Sequence, residues 1–209
     1  MYGCKALSAA ALAAVFASAT ASAGEIISAR LNDGRGMPMN YRVYIPTQAH
    51  TSGQHYPVVY LLHGYGASGR EWIDGLDLAE TLDAMIEASE IAPMIAVMPD
   101  AGKSWYVDSA MHGGPGDYES ALAFRLIDDV DRRFPTLADQ DARAIAGLSM
   151  GGYGALRLAF KYPDRFGAVA ALSAGLFHPD GISWEHGPGG RRWESRDKWY
   201  ARSFAAPFS

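Results

Sequence analysis

Cysteine is almost absent from the sequence. The 209 residues include one cysteine, Cys4, close to the N-terminus. A single thiol cannot form an intramolecular disulfide, so the fold must depend on the packing of an apolar core. The length is that of one domain, and a hydrophobic content of 49% is sufficient for such a core.

An excess of basic residues is also missing. Lys and Arg together number 18 against 23 Asp and Glu, which gives a formal net charge of −5. Nucleic-acid-binding domains usually carry a basic stripe or a recognisable binding motif, and neither occurs in this sequence. We therefore expect no nucleic-acid partner.

The apolar run near the N-terminus is too short to span a bilayer. It extends from Ala6 to Ala17, is rich in alanine, follows the positive charge of Lys5 and precedes Ala21-Ser22-Ala23. This order of positive region, apolar region and small-residue cleavage site is that of a signal peptide. We predict that residues 1–23 are removed on export, that Gly24 begins a secreted or periplasmic domain of residues 24–209, and that no membrane span remains.

Two segments after this site have the sequence pattern of strands. Glu25–Leu31 and Met39–Ile45 are joined through the turn residues Asn32-Asp33-Gly34-Arg35-Gly36. In the second segment, alternate residues are apolar from Met39 onward. The pattern predicts an antiparallel hairpin at the edge of a sheet.

Four later apolar runs are continuous, which is typical of strands buried on both faces. They are residues 57–62, 94–98, 142–148 and 166–173. Helical periodicity separates them, in residues 78–87, in residues 122–130 and after Ser149. This alternation predicts an α/β fold with a doubly wound, mainly parallel sheet and helices on both faces.

The third of these runs leads directly into Gly147-Leu148-Ser149-Met150-Gly151 and then into a helix. Gly-x-Ser-x-Gly alone is a weak pattern, because a glycine-rich turn with a capping serine has the same sequence. The preceding strand and following helix give it the context of a nucleophile elbow. We predict that Ser149 is a catalytic nucleophile in a strained, exposed turn.

A serine nucleophile needs donors for the oxyanion that forms during acyl transfer. The backbone N–H of Met150 is the first candidate, because it follows Ser149 at the start of a helix. The second is expected after the strand that ends at His63-Gly64, and we assign it to the N–H of Tyr65, with Gly64 as the alternative. A simple strand-ending turn at this point is the competing interpretation.

Several motifs together resemble one family of esterases. They are Tyr60-Leu61-Leu62-His63-Gly64, Met98-Pro99-Asp100, Trp105-Tyr106 and Ala146-Gly147-Leu148-Ser149-Met150-Gly151-Gly152-Tyr153-Gly154. The family includes S-formylglutathione hydrolases, feruloyl and acetyl xylan esterases, and mycolyltransferases. The resemblance implies an α/β-hydrolase fold and serine acyl-ester chemistry that needs no metal or cofactor.

The acid and base of a catalytic triad are harder to find. In α/β-hydrolases they follow the nucleophile in the order acid, then histidine. After Ser149 the candidates are His178, His186, Asp180, Glu185, Glu194 and Asp197, and none follows a recognisable strand. We interpret them as exposed loop residues and expect a C-terminally shortened family member that lacks the last strands, the acid and the base.

The expected function is that of a secreted serine carboxylic-ester hydrolase. Its acyl-enzyme would form on Ser149, with feruloyl or acetyl esters of carbohydrate as candidate substrates. In the loop of residues 101–116, Trp105 and Tyr106 would either form an aromatic wall for the substrate or pack on the core. Two other functions stay open, an acyltransferase of mycolyltransferase type and a catalytically impaired fragment or binding protein.

Overall fold

The computed structural model of the protein describes residues 23–176. This part of the chain contains six strands, β1 to β6, at Glu25–Leu31, Met39–Ile45, Val58–Leu62, Ile95–Pro99, Arg143–Leu148 and Ala168–Leu172. Its α-helices, α1 to α5, are Arg70–Asp74, Leu78–Glu87, Tyr118–Ser120, Ile127–Arg133 and Met150–Lys161. Two short 3₁₀ helices, Thr47–His50 and Ala110–His112, lie in connecting segments.

The six strands form one mixed sheet in the order β1-β2-β4-β3-β5-β6. β1 and β2 are antiparallel, and β2 is also antiparallel to β4. The pairs β3–β4, β3–β5 and β5–β6 are parallel. The prediction of a mainly parallel sheet with an antiparallel hairpin at one edge is confirmed.

Helices cover both faces of the sheet. On one face, Trp72 of α1 and Leu82 and Ile86 of α2 pack with Met98 of β4. On the other face, the larger core contains side chains from β2, β3, β4 and β5 together with Val130 of α4 and Leu158 of α5. Burial of these two layers accounts for the doubly wound architecture.

The helix predicted near residues 122–130 is longer and less regular than its pattern suggests. α3 and α4 are joined without a break by a π-helical stretch, Ala121–Leu126. Four residues of that stretch are buried, so its wider turn still presents apolar side chains to the core. Hydrophobic periodicity identifies such a helix but does not resolve a π-helical turn within it.

Two strands are less buried than the sequence predicts. β5 alternates between buried and half-buried residues, and all five residues of β6 are exposed. β6 lies at a sheet edge and has β5 as its one neighbouring strand within residues 23–176. The prediction of a fourth fully buried strand is therefore wrong for this part of the chain, because burial of an apolar strand depends on what packs against it.

No helix within the described residues is long and apolar enough to cross a membrane. The predicted signal peptide and the six candidate triad residues after position 176 lie outside the described residues.

Candidate active site

Ser149 lies in a sharp turn between β5 and α5. Its backbone has φ 55° and ψ −112°, a conformation that non-glycine residues rarely adopt. The residue is exposed, whereas Gly147 before it and Met150 after it are buried. The turn therefore holds a hydroxyl-bearing side chain at the surface, at a cost of about 1–3 kcal/mol in backbone strain.

Two glycines permit this turn. A Cβ on Gly147 would overlap the backbone of Gly151, and a Cβ on Gly151 would overlap the carbonyl of Leu62 in β3. Side chains at either position would force the helix away from the sheet. The strand, turn and helix predicted around Ser149 are present, and the close approach of α5 to β3 and β5 explains the glycine spacing.

The end of β6 fixes the turn by backbone hydrogen bonds. The N–H of Ser149 donates to the carbonyl of Leu172 over 2.8 Å, and the N–H of Gly175 donates to the carbonyl of Ser149 over 3.0 Å. These two bonds fix the backbone of Ser149 to the segment at the end of β6. β6 is thus part of the support of the turn, although its own side chains are exposed.

Two backbone segments adjoin this turn. Met150 is the first residue of α5, where an N–H has no acceptor within the helix and the helix dipole favours negative charge. At the end of β3, the N–H of Gly64 donates to Oε2 of Glu71 over 2.8 Å. This acceptor counts against the alternative that Gly64 is the oxyanion donor, and the assignment of that role to Tyr65 stays a prediction.

His63 is buried and forms hydrogen bonds through both ring nitrogens. The N–H of Ala101 donates to Nε2 over 2.8 Å, so the ring proton is on Nδ1, which donates to the carbonyl of Gly64 over 2.7 Å. Burial lowers the pKa of His63, against the opposing effect of the bond to Gly64. The ring is therefore neutral and joins the ends of β3 and β4, and it is not placed to act as a base.

Trp105 and Tyr106 have different environments, although both have positive φ, 54° and 57°. Tyr106 is fully buried, and its hydroxyl donates to the carbonyl of His63 over 2.9 Å. A Cβ on Gly154 of α5 would lie 2.5 Å from the Tyr106 ring. Tyr106 therefore packs in the core and does not form part of an aromatic wall for a substrate.

Trp105 lies beside the Ser149 turn. Its backbone N–H donates to the sulfur of Met150 over 3.3 Å. The centroid of its ring lies 5.9 Å from the ring centroid of Tyr65 and 5.9 Å from that of Tyr153. Lys103 extends over the ring of Tyr65, with Nζ 5.5 Å from the ring centroid. Three half-buried aromatic rings thus form a continuous surface next to Ser149.

The described residues include four histidines, and none of them forms a hydrogen bond with Ser149. His63 is committed to the contacts above, and His50 lies 3.7 Å from a carboxylate oxygen of Glu25. Within residues 23–176, no group of three or more His, Cys, Asp or Glu side chains could hold a metal ion. The candidate bases His178 and His186 lie outside the described residues.

The sheet order, the two helical layers and the strained serine after β5 define an α/β-hydrolase fold. The sequence agrees, because residues 33–207 match the family described as "Putative esterase". The chain belongs to this esterase family.

Individual relatives carry esterase names. An esterase of Mycobacterium tuberculosis is 36% identical over 135 residues, which are 63% of this chain and 28% of that protein. An endo-1,4-beta-xylanase/feruloyl esterase of Xylanibacter ruminicola is 33% identical over 130 residues, covering 62% of this chain and 18% of that protein. A solved ferulic acid esterase superposes with a TM-score of 0.66 at 28% identity, covering 73% of this chain and 59% of that one. The chain therefore spans less than two thirds of each of these relatives.

Some residues of the site could not be found by sequence analysis. Glu71 lies in α1, seven residues after Gly64, and Tyr153 belongs to the glycine-rich motif without a signal of its own. No motif signals either contact. The glycines on either side of Ser149 do predict the turn, because the close backbone contacts that require glycine come from a pattern of neighbouring residues.

Proposed function

We propose that the protein is a secreted serine esterase that hydrolyses carboxylic esters through an acyl-enzyme on Ser149. The observation that carries this proposal is the exposed, positive-φ serine held between two glycines that admit no side chain. Such strain is retained where a reactive group must be presented. Family membership is consistent with ester chemistry.

The proposed reaction uses the backbone around the turn. Ser149 Oγ attacks the ester carbonyl, and the resulting oxyanion accepts hydrogen bonds from the N–H groups of Met150 and Tyr65. The alcohol then leaves with a proton, and water hydrolyses the acyl-enzyme to the free acid. A general base is needed in both halves of the reaction, and in this family order it follows Ser149 in the chain.

The aromatic surface favours a substrate with a planar or ring-shaped group. Trp105, Tyr65 and Tyr153 lie together beside Ser149. Aromatic side chains pack well on phenyl rings and on the apolar faces of sugars. Relatives named feruloyl esterase or ferulic acid esterase point in the same direction. We therefore propose feruloyl or acetyl esters of carbohydrate as the substrate class, consistent with an exported enzyme.

A fluorophosphonate probe tests the nucleophile. We expect labelling of the wild-type chain, no labelling of Ser149→Ala, and unchanged labelling of Ser28→Ala, which removes an exposed serine from β1. Equal labelling of Ser149→Ala and the wild type would refute the assignment. Absence of labelling in the wild type would instead favour the catalytically impaired alternative.

Product analysis tests the reaction and its substrate. The chain is incubated with methyl ferulate and with an acetylated sugar, each with and without an added sugar acceptor. Free acid as the main product in every case supports hydrolysis. Transfer of the acyl group to the added sugar would favour the acyltransferase alternative.

A further inference from the structure

The backbone nitrogen of Gly24 lies within hydrogen-bonding distance of both oxygens of one carboxylate. It is 3.1 Å from Oδ1 and 3.0 Å from Oδ2 of Asp83 in α2. An amide nitrogen has one proton and must divide it between the two oxygens, whereas an ammonium group has three protons. The hydroxyl of Tyr44 also donates to Oδ1 of Asp83, over 2.7 Å.

The charge around this nitrogen also fits a cation. Asp83 is half-buried, and within residues 23–176 no Lys, Arg or His side chain forms an ion pair with it. Glu80 and Glu87 lie three and four residues away on the same helix, so they add negative potential on the same side. A half-buried carboxylate in such surroundings gains stability from a cationic partner.

The space around Gly24 leaves no room for a side chain. A Cβ on Gly24 would overlap the ring of Tyr44, which is fully buried, and would lie 2.9 Å from Oδ1 of Asp83. Ala23 is exposed, whereas Gly24 is half-buried. The site therefore accepts a backbone nitrogen and requires glycine at the position that carries it.

We propose that Asp83 and Tyr44 form a binding site for the α-ammonium group of Gly24, created when an export-processing peptidase cleaves the Ala23–Gly24 bond. This inference rests on the export included in the proposed function. In the cleavage, water adds its hydroxyl to the carbonyl carbon of Ala23 and a proton to the nitrogen of Gly24. The new amine binds one further proton from solvent and pairs with Asp83.

The pairing gives the processed chain a stabilising contact that the precursor lacks. The precursor donates one neutral N–H to Asp83, and the processed chain donates from a charged group to the same oxygens. The ammonium pKa is expected to be raised in the folded state, so the stabilisation is complete below the unfolded-state value of about 8. It is lost as the pH rises through the folded-state value.

Several other titratable groups lie near the nitrogen of Gly24. Tyr44 faces the nitrogen from β2, and burial raises the pKa of its hydroxyl well above the usual range. Glu25 follows Gly24 and lies 3.7 Å from His50 of the neighbouring 3₁₀ helix. Glu80 and Glu87 add two further carboxylates from α2. The pH-dependent difference in stability between wild type and Asp83→Asn above pH 7 reports the amino group, because these other groups are present in both proteins.

The first experiment identifies the N-terminus. The full 209-residue chain is exported from a bacterial host, and the product is analysed by intact-mass and terminal-peptide mass spectrometry. We expect a chain that begins at Gly24. Cleavage at another bond, or retention of the leader, would overturn the proposal.

The second experiment measures the amino group in the exported protein. Glycine is labelled with ¹⁵N, and the terminal amine is titrated by NMR, because its resonance is separate from those of amides. We expect its pKa to lie about one unit above the usual value of about 8 in the wild type and in Glu90→Gln, an exposed charge-removal control. We expect the usual value in Asp83→Asn and in Gly24→Ala.

Thermal unfolding provides an independent measurement. The difference in Tm between wild type and Asp83→Asn should be largest near pH 7 and should shrink by about pH 10. A purely structural role for Asp83 would give a difference independent of pH. An amine pKa that is the same in wild type and Asp83→Asn would refute the site.

Fluorophosphonate labelling of the same exported sample separates this inference from the esterase mechanism. Asp83 makes its hydrogen bonds to the N-terminal hairpin and not to the Ser149 turn. Normal labelling together with an unshifted pKa of the terminal amine would refute only the ammonium site. A raised pKa of the terminal amine without labelling of Ser149 would refute only the proposed mechanism.

Discussion

At the scale of single residues, two side chains hold the peptide groups of Gly64 at the end of β3. Glu71 accepts the N–H of Gly64, and His63 donates to the carbonyl of the same residue. Gly64 is thus held on both sides. We propose the following N–H, that of Tyr65, as an oxyanion donor, and Glu71 would position it indirectly through Gly64.

A substitution at Glu71 tests this positioning role. Glu71→Ala removes the acceptor, so Gly64 is released and we expect the rate of fluorophosphonate labelling at Ser149 to fall about tenfold to a hundredfold. This loss is smaller than that expected for deleting an oxyanion donor. Glu71→Gln keeps an acceptor oxygen and should retain most of the rate. Equal rates for Glu71→Ala and the wild type would contradict the role.

At the scale of elements, a buried carboxylate connects α3 to α5. Glu119 is 1% exposed and lies 2.6 Å from Arg157 Nε and 2.6 Å from Lys161 Nζ. The hydroxyl of Tyr162 donates to it over 2.7 Å. The helix that starts at the Ser149 turn is therefore anchored at its far end by charge as well as by apolar packing.

Removal of this carboxylate should be costly. Glu119→Ala removes the carboxylate that pairs with Arg157 and Lys161, and we expect a loss of about 3 kcal/mol in the free energy of unfolding, as is typical for breaking a buried ion pair. Glu119→Gln retains hydrogen-bond acceptance and should lose less. Urea unfolding at neutral pH measures both. A cost below about 1 kcal/mol for Glu119→Ala would show that the network contributes little.

The same network predicts a dependence on acid. Burial alone would raise the pKa of Glu119, but hydrogen bonds from Lys161, Tyr162 and Arg157 outweigh it and lower the value. The stabilisation is therefore complete above the unfolded-state value of about 4.3 and is lost as the pH falls through the lower folded-state value. The stability difference between wild type and Glu119→Ala should shrink below about pH 4 in urea titrations. A constant difference would contradict this assignment.

At the scale of the whole molecule, the sheet is asymmetric. Its centre is buried between two helical layers, whereas β6 is an exposed apolar strand. Val169 is 39% exposed, and Ile145 in the adjacent β5 is 1% exposed. Exposed apolar edges favour association between molecules.

Lysine substitutions test this asymmetry. Val169→Lys should cost less than about 1 kcal/mol, because the charge reaches solvent, and it should reduce association at high concentration. Ile145→Lys places an unpaired charge in the core and should prevent folding. Thermal unfolding and light scattering measure these effects. Loss of folding in Val169→Lys would show that the strand is covered in solution.

Local patterns were sufficient for much of the fold. The bounds of β1 and β2 match the two predicted segments, and Gly147 and Gly151 predicted the turn around Ser149 because their constraint is steric and local. The exposure of β6 was not predictable in this way. Its apolar sequence describes a strand suited to burial, but the neighbours of that strand decide whether it is buried.

The sequence by itself determined the order of strands and helices, the position of the strained serine and the esterase motifs around it. Hydrophobic period and glycine spacing are short-range properties, so they can be read along the chain. Only the tertiary structure decided that His63 is a neutral structural residue, that Tyr106 is buried, and that the Gly24 nitrogen meets Asp83. Those contacts join residues that are 38 to 59 positions apart, and nothing short of the folded sheet brings them together.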